Sequence, residues 1–562
     1  TTGNSNTFIG GLTGDAITSG SNNTAVGKGA FSTDTQGREN VAVGNGALFA
    51  QNFTTSTTSY NTAVGSSAGG AITTGVKNTL IGGLAGDAIT DADFNTAVGY
   101  LALSTNTLGS RNTAIGTVAL NEMNPTTATD TYNTAVGYGA GEVISTGTLN
   151  TLIGGLTGDA ITTGGENVAF GYQALTSETV GKRSIAIGVD SLKSQNFTTD
   201  TQTHNTVVGY NGGNKITVGV GNTIMGSQAG DALTDADDNV AIGRQALTAD
   251  TLGSRSVAIG FNTLADQNLT TATSTYNTAI GYNAGGGVTT GIRNTFVGGL
   301  AGDAATTGWG NTAIGYNALS TETTGQSSTA VGMNALGSQN VGGGTDTYNV
   351  AMGIQAGQNV TSGVQNTFIG GAAGDSATTA ANNVIVGYNS GLLANDTAQV
   401  VVLGSGVTSQ AANNFTFGFG STDSNIAFGA TSITAPSDER YKENIATSTA
   451  GLSFIKDLRP VTFQWKKEKD IPLDHKAYVA DSDNRVMQSQ GETMHGFIAQ
   501  EVKTAIDNHS EIKDGFDMWS ADPTDGRQRL GPSALIPILT KAIQELSTKN
   551  DALEARIATL EG

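Results

Sequence analysis

The sequence predicts a mainly β protein: a parallel β-solenoid (β-roll) shaft of 17-residue coils, followed by a small α+β domain that ends in a coiled-coil helix. Three observations carry the prediction. A pentapeptide of the form Asn/Ser-x-apolar-apolar-Gly recurs 22 times between residues 6 and 387, composition changes from Gly-rich to ordinary after residue 436, and residues 535–561 hold a heptad seam.

The repeat comes first in the chain. Pentapeptides follow one another at a 17-residue spacing, every fourth interval is longer by four, and a higher, 72-residue period therefore runs through positions 1–388. A short fixed period marks a solenoid, in which each unit stacks only on its neighbours. In "NTAVGYGAG" (133–141) the Thr-Ala-Val core suits a short strand, and the Gly that closes it opens a turn. The third and fourth residues of the pentapeptide are both apolar and point to opposite faces of the strand. One coil can enclose only one face, so the other must meet a second strand layer or another chain, and association of copies is the economical solution. The leading residue is Asn in 19 of the 22 units and Ser at Ser184, Ser256 and Ser328; stacking places these in ladders that hydrogen-bond along the axis. At about 4.8 Å per coil the stack forms a rod on the order of 100 Å long.

The strings "SIAIG" (184–188) and "SVAIG" (256–260), with the many "NTAVG" units, resemble the head repeats of YadA-like trimeric autotransporter adhesins. That resemblance covers about two thirds of the chain and implies a homotrimeric parallel β-roll. The 17-residue spacing is longer than that family's usual coil, which leaves handedness and coil shape open.

Two residue sets recur once in every four coils. Asp15, Asp87, Asp159, Asp231, Asp303 and Asp375 each follow Gly in a turn, and Tyr60, Tyr132, His204, Tyr276 and Tyr348 end the longer loops. Calcium β-rolls place carboxylates on adjacent turns, whereas these Asp residues stand about 19 Å apart, so the expected role is turn capping, with no metal and no cofactor. The loop aromatics have two readings: packing on a neighbouring coil, or stacking on a sugar or receptor surface. The Tyr residues directly after the strand glycine, such as Tyr100 and Tyr282, carry the same pair of readings. Cleavage of a polysaccharide needs two carboxylates roughly 5–10 Å apart; acids of the shaft are scattered singly, which leaves only an inter-chain pair for such chemistry.

Composition narrows the partners. Residues 1–436 carry 26 acidic and 11 basic side chains and residues 437–562 carry 21 and 16, so neither part has the basic footprint that nucleic acid requires. The chain has no cysteine, which removes disulfides and thiolate metal sites. It contains no run of 18 apolar residues, hence no predicted membrane span. The sequence opens mid-pattern without Met, and we expect an N-terminal attachment region to be missing from it.

Residues 389–436 read as a neck of further short strands, "QVVVLGSG", "NNFTFGFG" and "NIAFGA". Beyond it, "SDERYKENI" (437–445), "LRPVTFQW" (458–465), "HGFIAQEV" (495–502) and the terminal helix occur in that order. Together they closely resemble the C-terminal intramolecular chaperone domain of endosialidase-type phage tailspikes and tail fibres, a self-cleaving serine peptidase family. The resemblance spans 437–562 and implies a domain that trimerises, guides folding of the β-structured shaft before it, and cuts itself off beside a serine. Ser437 is then the nucleophile and Lys442 its general base, a role that requires a lysine made neutral by burial. Asp438 would orient the scissile segment. Taken alone, the same residues read as a helix start with Ser437 or Asp438 as N-cap.

In the last helix Ile536, Leu539, Ile543, Leu546, Asn550, Leu553, Ile557 and Leu560 alternate spacings of three and four, a seam for two or more copies with Asn550 as its polar register residue. Trp465 and Phe497 are expected in the core of this domain, with His495 structural. These parts predict a fibre of a virion, docked to a phage tail or baseplate by the missing region and meeting a host receptor or glycan. A bacterial surface adhesin built from the same parts is the alternative, and a glycan-degrading spike a third.

Overall fold

Each pentapeptide of the repeat folds as a strand of three residues, such as Thr62–Val64, Thr79–Ile81 and Thr96–Val98. The computed structural model describes residues 2–430, 433–434, 437–487, 491–522 and 526–562, in two units, Thr1–Pro436 and Ser437–Gly562. In the first unit the strands stack in parallel with unbroken register: Thr62 lies beside Thr79, Ala63 beside Leu80, and Val64 beside Ile81. The third residue of the pentapeptide points into the coil, where Ala63, Leu80 and Ala97 are fully buried with turn residues such as Ala68, Ile72 and Leu103. The second and fourth residues lie on the outer face; Phe170 and Met225 at the fourth place are 53% and 50% exposed. One chain therefore leaves an apolar column uncovered, as the two-faced strand pattern requires.

The Asn ladder forms, with the backbone as its main partner. The backbone N–H of Asn78 donates to Asn61 Oδ1 (2.9 Å), and its Nδ2 donates to the carbonyl of Ala92 (2.9 Å). Each buried amide thus satisfies backbone groups of two coils, which a solenoid with strands this short would otherwise leave unpaired. The glycine that closes each strand has a positive φ near 135°, and at Gly281 a Cβ would lie 2.6 Å from the carbonyl oxygen of Gly298 in the next coil. Only Gly fits a column in which backbone stacks directly on backbone.

The solenoid continues past residue 388. Val400–Ser405 extends the parallel sheet with Val384 beside Val401, the same step as in the earlier coils, and Asn414–Phe419 adds a further turn. The step is hidden in the sequence because Val400 stands where other coils have Asn; its N–H still donates to Asn383 Oδ1 at 3.1 Å. An antiparallel strand, Thr422–Ala427, then ends the parallel order.

The second unit has three α-helices among its described residues, α1 (Leu452–Asp457), α2 (Ala499–Asn508) and α3 (Leu535–Glu561). Two antiparallel strand pairs accompany them, Val461–Phe463 with Met494–Gly496 and Trp519–Ala521 with Gln528–Leu530. Phe454, Val502, Ile506, Met518 and Ile538 form the core, and Phe497 packs against it partly buried. Trp465 differs from expectation: it lies outside this core and lines a cavity of about 930 Å³ with Pro472, His475 and Met487. It follows a strand of a two-stranded sheet, half-buried, with its ring edge-on to Phe463 at 5.4 Å between centroids. Of α3, Leu535, Ile538 and Ala542 are buried, while the heptad residues from Ile536 to Leu560 face solvent in a single chain.

Candidate self-processing site

Ser437 and Lys442 are brought together by one tight turn. Asp438 caps a 3₁₀ turn, Glu439–Tyr441, by accepting from the N–H of Arg440 (2.9 Å), and the N–H of Lys442 closes the turn on the carbonyl of Glu439. The chain reverses there, and Lys442 Nζ donates to Ser437 Oγ at 2.7 Å. The cap on Asp438 thus makes the turn that brings Lys442 to Ser437.

Asp438 is tied to Arg440 by a two-pronged ion pair, with contacts of 2.7 to 3.1 Å. The Arg440 side chain, and then its backbone N–H, hold the Asp438 carboxyl below its ordinary value. Asp438 is therefore an ionised turn former, committed to its own segment. Residues 435 and 436, on the N-terminal side of Ser437, lie outside the described residues, so the scissile segment that Asp438 was expected to orient does too. Ser437 and Lys442 are exposed in the single chain, which differs from the expected burial of the base. The physical reason is local: a turn this short has no side chains with which to cover a lysine, so desolvation has to come from residues outside it.

His509, at the end of α2, sits between Asp457 Oδ2 (2.8 Å) and Glu511 Oε1 (3.0 Å) and edge-on to Phe454. Hydrogen bonds to Asp457 and then Glu511 raise its pKa above the usual histidine value, although its ring is only 11% exposed. The sequence offered no signal for it. His495, expected to be structural, pairs with Thr462 across the short sheet and is exposed.

Of the shaft candidates, Tyr60, Tyr132, Tyr276 and Tyr348 are about half exposed and His204 is exposed as well. All five have positive φ, which turns the loop back into the next strand. Arg111 and Arg255 lie 5.6 and 5.9 Å from the rings of Tyr132 and Tyr276. Among the Tyr residues that follow the strand glycine, Tyr100 lies 3.6 Å from where a Cβ on Gly83 would be, and Tyr282 stacks on Phe261 at 5.5 Å. Packing on a neighbouring coil is thus realised for these. The periodic Asp set differs from expectation, because Asp159 and Asp231 accept from the Thr176 and Thr248 hydroxyls one coil on, linking coils instead of capping their own turns. Where Ser104 and Ser320 replace that Thr, one oxygen of Asp87 and of Asp303 is buried without a partner, and burial pushes both carboxyls up. Among the described residues no three His, Asp or Glu side chains cluster as a metal site would require.

Compared with known proteins, the chain matches no curated protein and no solved structure. Residues 437–511 match the family model described as the chaperone of endosialidase, and the match begins at the serine of the Ser437–Lys442 pair.

Proposed function

We propose that the chain is the homotrimeric shaft of a virion tail fibre or tailspike that meets a host surface, assembled by a C-terminal chaperone that then cuts itself off at Ser437. The observation that carries this reading is the 2.7 Å bond between Lys442 and Ser437 at the first residue of the chaperone match. A hydroxyl that accepts from an ammonium gains no basicity, so the cut waits for Lys442 to lose its proton. Assembly supplies the trigger if neighbouring copies cover the turn, because desolvation disfavours the charged amine. Cleavage is then restricted to assembled fibres, and it occurs once per chain. Ser437 Oγ attacks the carbonyl carbon of residue 436 while neutral Lys442 takes the hydroxyl proton; the C–N bond to Ser437 breaks as Lys442 returns that proton to the leaving amine, and water then hydrolyses the ester to the carboxylate of residue 436 and the Ser437 hydroxyl.

The loop-ending aromatics Tyr60, Tyr132, His204, Tyr276 and Tyr348 supply the host-facing contacts in this reading, supported by their exposure. The test is a time course of the full chain on a denaturing gel beside Ser437→Ala and Lys442→Met. Fragments spanning 1–436 and 437–562 from the parent alone are expected. Full-length chain in all three, still assembled, would leave the domain a permanent clamp without peptidase function.

A further inference from the structure

The outer face of the shaft sheet is flanked, two residues beyond its fourth-position column, by a column of the residues that follow each closing glycine. Unlike the apolar positions, this column distinguishes one coil from the next. In four of the six four-coil periods it carries Gly83, Gly155, Gly299 or Gly371, followed in the next coil by Tyr100, Tyr172, Tyr316 or Tyr388; the other two have Gly11 before Lys28 and Ser227 before Arg244, again a small residue before a large one. Each Tyr ring leans over the glycine before it, 3.4 to 3.6 Å from a Cβ position there, so a bulge and a hollow alternate at fixed places. In one stretch the column stacks large groups, with Arg244 4.5 Å from the Phe261 ring and Phe261 on Tyr282, while Asn45, Ser66 and Thr117 occupy it in other coils.

We propose that copies of this chain meet through the outer sheet face and that the flanking column sets which coil faces which, tolerating offsets of four coils and rejecting offsets of one. The proposal rests on the reading of the shaft as a homo-oligomer. The occupant is a second copy because an apolar column repeating about every 4.8 Å needs a partner with the same repeat, and the unpaired heptad face of α3 asks for the same partner. Within that face the second position is Thr, Val or Ile and the fourth mostly Val or Ile in every coil, so a shift of one coil leaves them nearly matched. The same shift sets Tyr against the place of Gly, creating an overlap at one level and a void at the next, both destabilising. A shift of four coils returns each Tyr level and each Gly level to the kind of level it faces in register.

The test uses mixed assembly of full chains. A differently tagged chain lacking residues 222–293, four coils, and another lacking residues 222–238, one coil, are each co-expressed with the parent; both keep the C-terminal unit and whole-coil junctions, and both shift the Gly83–Tyr100 and Gly155–Tyr172 levels. The four-coil deletion is expected in mixed oligomers in the share its abundance dictates, and the one-coil deletion about tenfold or more below that share. Equal entry of both, or exclusion of both, overturns the proposal. Each deletion chain is also sized alone, and a second one-coil deletion, 294–310, replaces the first if that fails to assemble. A parent that sediments as a monomer would instead defeat the homo-oligomer reading itself.

Discussion

Asp250 is fully buried, and its oxygens are met by neutral donors: the N–H groups of Gly253 (3.0 Å) and Leu269 (3.3 Å) and the amide of Gln267. Asp34, Glu178 and Glu322 repeat this arrangement with Gln51, Gln195 and Gln339 at the corresponding coil of other four-coil periods. The remaining period has Asn106 and Met123 instead, and Asn106 bonds Gly109. The paired exchange has a physical cause. A Gln donor facing an Asn amide sets N–H against N–H, and a carboxylate facing Met loses an acceptor's partner. We expect Asp250→Asn and Gln267→Met each to destabilise by about 1–3 kcal/mol, and the double variant to recover much of that sum. A double-mutant cycle of unfolding measures it, and simple additivity would contradict the account. Burial raises the Asp250 carboxyl above its ordinary value of 3.8, so the native state binds the proton more tightly than the unfolded chain. Its contribution is complete below 3.8 and declines as pH rises through the raised value; Asp250→Asn should remove that part of the pH slope.

Coils and helices differ in how much of them the sequence displays. The coil was legible because a short strand, an Asn before it and a Gly after it recur at one spacing, and each has a single steric or hydrogen-bonding reason to be there. Buried carboxylates were not, because a lone acid in a turn looks solvated until its counterparts in the other periods and the loop above it are placed. Of two further turns after residue 388, one was hidden by Val400 in place of Asn and the other by a 14-residue step with Thr416 at the inward place, while Trp465 was assigned to the core with the block that contains it. The dyad turn was legible down to its cap, but its exposure was not. The closing glycines give a direct check on the coil geometry. Gly281→Ala forces a Cβ toward the Gly298 carbonyl at a φ of +134° and should destabilise by at least about 1–3 kcal/mol. Gly310, at a φ of +68° with open space around it, should accept Asn with little change, as Asn22 and Asn382 do at the same place. Thermal unfolding of both variants decides the matter, and equal midpoints would contradict it. In α3 the seam has Ile at one heptad position and Leu at the other, a combination that favours two strands in parallel coiled coils. A trimer must therefore take its order from surfaces other than this seam.

At the scale of the whole chain the repeat creates its own difficulty. Shaft strands pair with the coil next along the chain, Val41 with Thr62 and Thr62 with Thr79, so a single chain can stack coil on coil through local steps without waiting for other copies. The cost is a long apolar column exposed before assembly, and a face whose apolar positions match a neighbour at any coil. A flanking column that repeats every fourth coil removes single-coil errors and leaves four-coil errors, which only an alignment imposed outside the repeat can remove. On the proposed reading a C-terminal chaperone serves that purpose once, and its release would leave the shaft dependent on slow unfolding, not on a reversible equilibrium. The consequence is an asymmetry in refolding. Processed shaft, fully denatured and diluted, should return as aggregates or as oligomers with staggered ends, whereas the Ser437→Ala chain, which keeps its chaperone, should regain the native mass with flush ends. Sedimentation and electron microscopy of the two samples distinguish these outcomes. Equal recovery of native fibres by both would mean that the shaft stores its complete register laterally, and the chaperone would then be needed for the rate of assembly and not for its alignment.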